Sequence, residues 1–418
     1  MQVIVIGGGV IGVTTAYYLR QAGADVVVIE KQSGAAQETS LANAGTMTAS
    51  RAGPWASPKS IAKTLKGYRS SDSAFRLRLG TDIDQYIWLA GFCVAAFNGK
   101  RTAKRKAMME LGVHSLSERR KIDEEWQLDY GGTRKGLLTI FDSQDDFESA
   151  VEDLKFLHQM GISAEALSPA ECLDRINTNS RTTDKLAGGI LADQDESGDC
   201  FRFTKALVDL TRELGVEYRF NESVRSIKSS RPGNCEVLTN NGSVRGDAIV
   251  IATGIQSLEL AKDIGVRLPI YPVKGYSISV PLPAEERPNL TVADEHRKVF
   301  ITPTETGIRA AGVADIVGYS TALSPERLDV VKGAIRNLFP SAQLDGNVEA
   351  WAGLRAMTHD GPPVICGLSD SGVWLNSGHG SLGWTFACGA GETLSKMVLS
   401  GDRAPPSPFF GLDHRWMK

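Results

Sequence analysis

The stretch that most limits what this 418-residue chain can become is its start, Val3-Ile4-Val5-Ile6-Gly7-Gly8-Gly9-Val10-Ile11-Gly12. A second apolar run, Asp25–Ile29, follows and ends in Glu30. Strand, Gly-x-Gly-x-x-Gly, helix, strand, acid is the order of a dinucleotide-binding unit. Gly7 permits a sharp turn off the first strand, Gly9 lets backbone approach a pyrophosphate, and Gly12 lets the helix pack close to the sheet. The helix is expected over Val10–Ala22, with the N–H groups and positive dipole end around Val10 and Ile11 aimed at the phosphates. Glu30 can accept the hydroxyls of an adenosine ribose and would repel a 2′-phosphate. The pattern therefore points to FAD or NAD and away from NADP.

A chain of this length implies two domains. A formal charge of −3 gives no electrostatic case for nucleic acid. The six cysteines are scattered without a C-x-x-C pair and read as packed thiols; no cluster has metal-ligand spacing and no serine sits in a nucleophile elbow. With the first strand starting at Val3, the reading leaves no room for a targeting segment, and a cytoplasmic location is expected. The longest apolar run, Tyr86–Phe97, falls short of the ~20 residues of a spanning helix. It is followed by Lys100, Arg101, Lys104, Arg105 and Lys106. Two readings stand: a buried helix leading into a solvated one, or a peripheral surface resting on anionic headgroups at the inner face of a membrane.

Along the chain, Glu38–Gly45 is a polar loop suited to covering a cofactor, and Ser57–Glu125 is mainly helical. Gly136–Phe141 reads as a strand, Asp145–Met160 and Phe203–Leu214 as helices, and Val216–Phe220 as a strand. Val224–Ile227, Cys235–Thr239 and Val244–Arg245 form a meander that leads into a buried strand, Asp247–Gly254. Tyr276–Val280, Val299–Thr302 and Ile308–Gly312 alternate as in an antiparallel sheet, Ser324–Phe339 is a helix, and Val373–Asn376, Ser377–Gly380 and Trp384–Leu399 are strand, turn and helix.

Taken together, Gly7–Gly12 with Glu30, Glu38–Gly45, Gly198-Asp199-Cys200, Tyr271–Ser277, Gly353-Leu354-Arg355, Asp360-Gly361 and Asn376–Gly383 carry a family resemblance. Over about Gln2–Ser400 the chain resembles the FAD-dependent D-amino acid dehydrogenases of small-subunit type, within the D-amino acid oxidase and glycine oxidase superfamily. It departs from them at Ala356 and His359, where the family usually has prolines.

The resemblance implies an α/β fold: a Rossmann-like FAD-binding domain from 1–55, 195–268 and 346–418, and a discontinuous α+β substrate domain on a mainly antiparallel sheet from 56–194 and 269–345. It implies FAD held by Gly7, Gly9, Val10, Ile11, Gly12, Glu30, Lys31, Thr39, Ser40, Asn43, Ala44, Gly45, Val224, Ala252, Thr253, Gly254, Gly380, Ser381, Leu382, Gly383, Trp384 and Thr385. Arg355 would bind the substrate carboxylate, Tyr276 would cover the substrate with Tyr271 as a weaker candidate, and His379 would line the pocket. Lys274 reads either as a neighbour of the flavin edge or as a solvated side chain, and His359 as a pocket-lining residue like His379 or as exposed. The implied reaction is oxidation of a D-amino acid by hydride transfer from Cα to flavin N5, with electrons passed to a quinone or partner flavoprotein. Three alternatives stay open: a dehydrogenase of D-proline or hydroxy-D-proline, an oxygen-using amine oxidase, and a flavin-binding subunit that needs partner chains.

Overall fold

Two sheets organise the molecule, and the chain passes between them several times. The computed structural model describes residues 1–418 apart from 68–72, 179–185, 347, 369–370, 414 and 416–418.

The first sheet has six strands in the order Val364–Gly367, Val373–Ser377, Ala248–Ile251, Gln2–Ile6, Asp25–Ile29, Glu217–Arg219. All neighbours are parallel except the first pair. Alternation decides which face each side chain serves. Val3, Val5, Val26, Val28, Ala248 and Val250 pack with the helices Val10–Gln21, Cys200–Glu213 and Gly383–Ser400. Ile4, Ile6, Val27, Ile29, Ile249 and Ile251 pack against the three-stranded meander Val224–Arg231, Asn234–Thr239, Gly242–Gly246. Because both faces are covered, these strands read as continuous apolar runs. The carboxyl ends of the five parallel strands point the same way, which brings Gly7, Glu30, Ala252 and Gly378 to one edge.

The second sheet has nine strands, mostly antiparallel, in the order Glu349–Thr358, Ile270–Pro281, Gly307–Ile316, Val299–Pro303, Thr291–Asp294, Leu137–Phe141, Gly188–Ala192, Ala164–Leu167, with Phe75–Leu77 paired to Gly307–Ile316. The helix Pro325–Leu338 covers one face through Val331, Ala334, Ile335 and Leu338. The other face looks toward the edge of the first sheet.

The expected helices and strands recur with shifts of a few residues at their ends, and three differences matter. The stretch expected to be mainly helical from Ser57 to Glu125 contains helices Pro58–Gly67, Ile83–Phe97 and Arg101–Trp126, interrupted by the strand Phe75–Leu77; its residues 68–72 lie outside the described residues. The strands Ala164–Leu167, Gly188–Ala192, Glu349–Thr358 and Val364–Gly367 had no counterpart in the pattern reading. Of these, Glu349–Thr358 pairs along its length with Ile270–Pro281, so it belongs to the second sheet although the expected boundary at 346 put it with the first.

Candidate active site

A cleft of about 1500 Å³ runs between the carboxyl edge of the first sheet and the exposed face of the second. That is larger than most small-molecule pockets, and the edge it follows is where open α/β sheets bind ligands.

At one end stand Gly7, Gly9, Val10, Ile11, Glu30 and Lys31. Glu30 is almost fully buried, its Oε2 accepting the Gly8 N–H at 2.6 Å and its Oε1 the Gln32 N–H at 2.8 Å. Each oxygen keeps a lone pair for a ribose hydroxyl. A Cβ at Gly9 would meet only Ser40 Oγ, at 3.6 Å, so this backbone is open to a phosphate. Gly12 does not line the cleft. It lies beneath it, and a Cβ there would stand 1.9 Å from the Gly7 carbonyl oxygen.

Across the middle, the loop 38–45 is fastened at both ends. Thr39 Oγ1 donates to the Leu354 carbonyl at 2.9 Å, Thr302 Oγ1 to that of Ala44 at 2.7 Å, and the Gly45 N–H to Asn43 Oδ1 at 2.9 Å. Ser40 Oγ accepts the Val10 N–H at 3.2 Å, tying the loop to the helix start. Thr39, Ser40, Asn43, Ala44 and Gly45 all line the cleft, as do Val224, Ala252, Thr253 and Gly254 from the first sheet's side.

The last turn closes the far side. Gly380, Ser381, Leu382, Gly383 and Trp384 line it, and the helix Gly383–Ser400 starts there with its N-terminus toward the cleft. Trp384 Nε1 donates to the Gly198 carbonyl at 3.2 Å. Thr385 is buried behind this turn, its Oγ1 accepting the Thr48 N–H at 3.1 Å, and does not itself reach the cleft. These groups fit an extended dinucleotide: a carboxylate for a ribose, bare backbone at a helix start for a pyrophosphate, and a second helix start where negative charge on a reduced ring would fall.

His379 borders both the cleft and a cavity the size of one water, and its Nε2 is buried without a partner. Burial alone lowers its pKa to about 3, so it is a neutral imidazole at working pH. The folded state refuses a proton that the unfolded imidazole takes up. Stability is therefore complete above pH ~6.5 and falls as pH drops toward 3, by roughly 1.4 kcal/mol per unit for this group. Burial shifts His359 in the same direction. Thermal melts from pH 7.5 to 5 should show this acid slope, and His379→Asn should make it shallower; equal slopes would mean that His379 charges in the folded protein.

Arg355 projects from Glu349–Thr358 into the cleft. Its Nη1 donates to the Val313 carbonyl at 2.9 Å, and among the described residues no acid forms an ion pair with it, although the Asp315 charge nearby favours its cationic form. Among the described residues its other four N–H donors have no hydrogen-bond partner. Burial lowers its pKa to about 10, which leaves it cationic at neutral pH. A half-buried guanidinium with N–H groups free on a cleft wall suits an anion with two oxygens.

Four side chains do not stand where the sequence placed them. Tyr276 borders the cleft, but it is 2% exposed and its hydroxyl donates to Asp315 Oδ2 at 2.9 Å, inside a buried pair with Arg327. Strand alternation turns this ring to the helix-covered face, so its proton is committed away from a substrate. Tyr271 donates to Asp82 Oδ2 at 3.0 Å and packs on Trp88. Lys274 is buried and donates to the Ala322 carbonyl at 2.9 Å, neither at a flavin edge nor solvated. His359 is 4% exposed, packed on Gly91 of the helix Ile83–Phe97.

The pattern reading missed residues that the fold brings to the cleft. Thr48 and Ser50 line it and donate to the buried carboxylate of Asp195. Arg51 lies over Phe300 and bonds Glu295 at 2.8 Å; although burial pushes Glu295 up, Arg51 and Lys298 hold its pKa down at about 2. Nothing in the spacing of residues 51, 295 and 300 announces that they meet. Among the described residues no group of three or more His, Cys, Asp or Glu stands close enough to hold a metal ion.

The comparisons agree with this architecture. The family model described as FAD dependent oxidoreductase matches residues 2–397. A D-amino acid dehydrogenase of Allorhizobium ampelinum is 37% identical over 399 residues, 95% of this chain and 94% of that one. A D-amino acid dehydrogenase of Rhizorhabdus wittichii is 38% identical over 402 residues, 95% and 96% of the two chains. The crystal structure of glycine oxidase from Geobacillus kaustophilus shares the fold, with a TM-score of 0.73 at 20% identity over 99% of this chain and 98% of that one. The chain belongs to the FAD-dependent oxidoreductases of the D-amino acid oxidase family, and FAD is the cofactor its cleft is built to hold.

Proposed function

We propose that this protein oxidises D-amino acids, taking two electrons from the Cα–N bond to give an imino acid that hydrolyses to a 2-oxo acid and ammonia. The observation that carries the reading is the unpaired Arg355 guanidinium on the cleft wall, facing the same space as the turn Gly378–Gly383. The handedness is supported by the names of relatives at 36–38% identity. FAD, when bound, supplies the hydride acceptor. Arg355 takes the two carboxylate oxygens and so fixes where Cα stands. The N–H groups at the start of Gly383–Ser400 stabilise negative charge that gathers at their end. His379, kept neutral by burial, borders the site without placing a cation beside it. No acid in the cleft need take a proton if the amine enters neutral.

Within this reading the first sheet with residues 1–55, 195–268 and 359–418 holds the cofactor, and 56–194 with 269–358 holds the substrate. Mixing the purified yellow protein anaerobically with paired D- and L-amino acids tests the function. The D-isomers are expected to bleach the flavin and the L-isomers to leave it oxidised. A flavin that no D-isomer reduces would overturn the reading, unless an added partner chain restores it, which would favour a flavin-binding subunit.

The helix Ile83–Phe97 supports a non-oxygen acceptor held in lipid. Its inner side packs through Trp88, whose Nε1 donates to the Met357 carbonyl at 2.8 Å, while Ile83 (71% exposed), Tyr86, Val94 and Phe97 (69%) face outward. Lys100 and Arg101 follow at its end, as on a peripheral surface resting on anionic headgroups. No described helix is long and apolar enough to cross a membrane. Flotation with phosphatidylglycerol vesicles should carry the protein and lose it on Ile83→Glu with Phe97→Glu; equal flotation of both would contradict the assignment.

A further inference from the structure

The sheet breaks register beside Arg355. Between the pairs Lys274↔Asp315 and Tyr276↔Gly312, one strand advances by two residues while its neighbour advances by three. This is a β-bulge, and it sits over the cleft. Within it Val313 has φ +48°, in the left-handed region. A β-branched residue is an outlier there and persists only where its surroundings hold it. Held so, Val313 presents its carbonyl to Arg355 Nη1.

Across from the bulge, on the neighbouring strand, Gly275 leaves the backbone bare. A Cβ there would stand 2.4 Å from Arg355 Cζ and Nη2 and 2.6 Å from Nη1, so the guanidinium lies directly on the strand. The φ of Gly275 is not positive, so this glycine answers a need for space and not for conformation.

We propose that Val313 and Gly275 are positioning residues that form a seat for the Arg355 guanidinium. The Val313 carbonyl binds one N–H and fixes the rotation of the plane, while Gly275 sets its height over the sheet. The remaining N–H groups then present one edge to the substrate carboxylate. Strain at Val313 is retained because relaxing it would turn the carbonyl away and free the guanidinium to rotate.

The inference rests on Arg355 binding a carboxylate, and its readout is the ratio of kcat/KM for D-alanine to that for D-alaninamide. Gly275→Ala should fold, since the three atoms nearest the added methyl all belong to the end of a flexible side chain. The ratio should fall by about 10-fold or more, mainly through KM, because misplacement by about 1 Å is that costly. Holoenzyme Tm and FAD content should change little. Val313→Gly, which adopts positive φ freely but no longer enforces it, should lower the ratio less than Val313→Pro does. Val313→Pro, which cannot, should lower the ratio like Gly275→Ala. A Gly275→Ala holoenzyme with the wild-type ratio would overturn the seat even if Val313→Pro fails to fold. A wild-type protein with no preference for D-alanine over its amide would overturn the carboxylate reading and the seat with it.

Discussion

Replacing Arg355 by methionine should lower kcat/KM for D-alanine by about 10²- to 10³-fold while FAD stays bound. Removing one partner of a desolvated, hydrogen-bonded charge pair costs about 2–5 kcal/mol, and each 1.4 kcal/mol is tenfold. Both kcat and KM should suffer, because the carboxylate contact also sets where Cα stands relative to the acceptor. Arg355→Lys should recover only part of the loss, since an ammonium keeps the charge but not the fork. Stability should move little. Among the described residues Arg355 has no ion-pair partner to strand, and its partial burial disfavours the charged form. Steady-state kinetics with thermal melts of the same preparations separate these effects. A methionine variant that turns over D-alanine at the wild-type rate would remove Arg355 from the site.

Gly12→Ala should cost the protein its cofactor. By helix propensity alone the change is favourable, by up to about 1 kcal/mol. Sterically it is not, for the new methyl carbon would lie 1.9 Å from the Gly7 carbonyl oxygen. Backbone cannot step aside as a side chain can, and relieving the contact pushes the helix Val10–Gln21 off the first strand. Overpacking of this kind costs roughly 1–3 kcal/mol and sometimes more, so the steric term wins. The expected preparation is pale, with Tm lower by a few degrees, or fails to accumulate. Gly23→Ala is the control. Gly23 has φ +89° with no atom near its missing Cβ, so only conformational strain of about 1 kcal/mol applies and the yellow colour should remain.

The cofactor end of the molecule was legible because its logic is local. Gly7, Gly9, Gly12 and Glu30 work within one strand–helix–strand unit, and the structure sets them where that unit requires. The substrate end was legible only through resemblance. The strand Glu349–Thr358 alternates Trp351, Gly353 and Arg355 with Ala352, Leu354 and Ala356, a pattern with neither the β-branched residues nor the clean polarity that mark a strand. Its register depends on a partner, Ile270–Pro281, far away in sequence. Tyr276 shows the same limit from the other side. Its type suits a substrate cover, but which face of a strand it takes follows from register, and register puts its hydroxyl on Asp315. Of the two readings of His359, exposure fails because the close approach of Gly91 buries it. The bulge at Val313 leaves no trace in composition at all.

If a flavin and the Arg355 guanidinium share one cleft, a carboxylate held by Arg355 should perturb the flavin. Adding propionate, a carboxylate with no amine to oxidise, to the holoenzyme tests this through the visible spectrum of the flavin. A saturable difference spectrum in the wild-type protein that is absent in Arg355→Met is the predicted result. The same difference spectrum in both proteins would place the carboxylate away from Arg355.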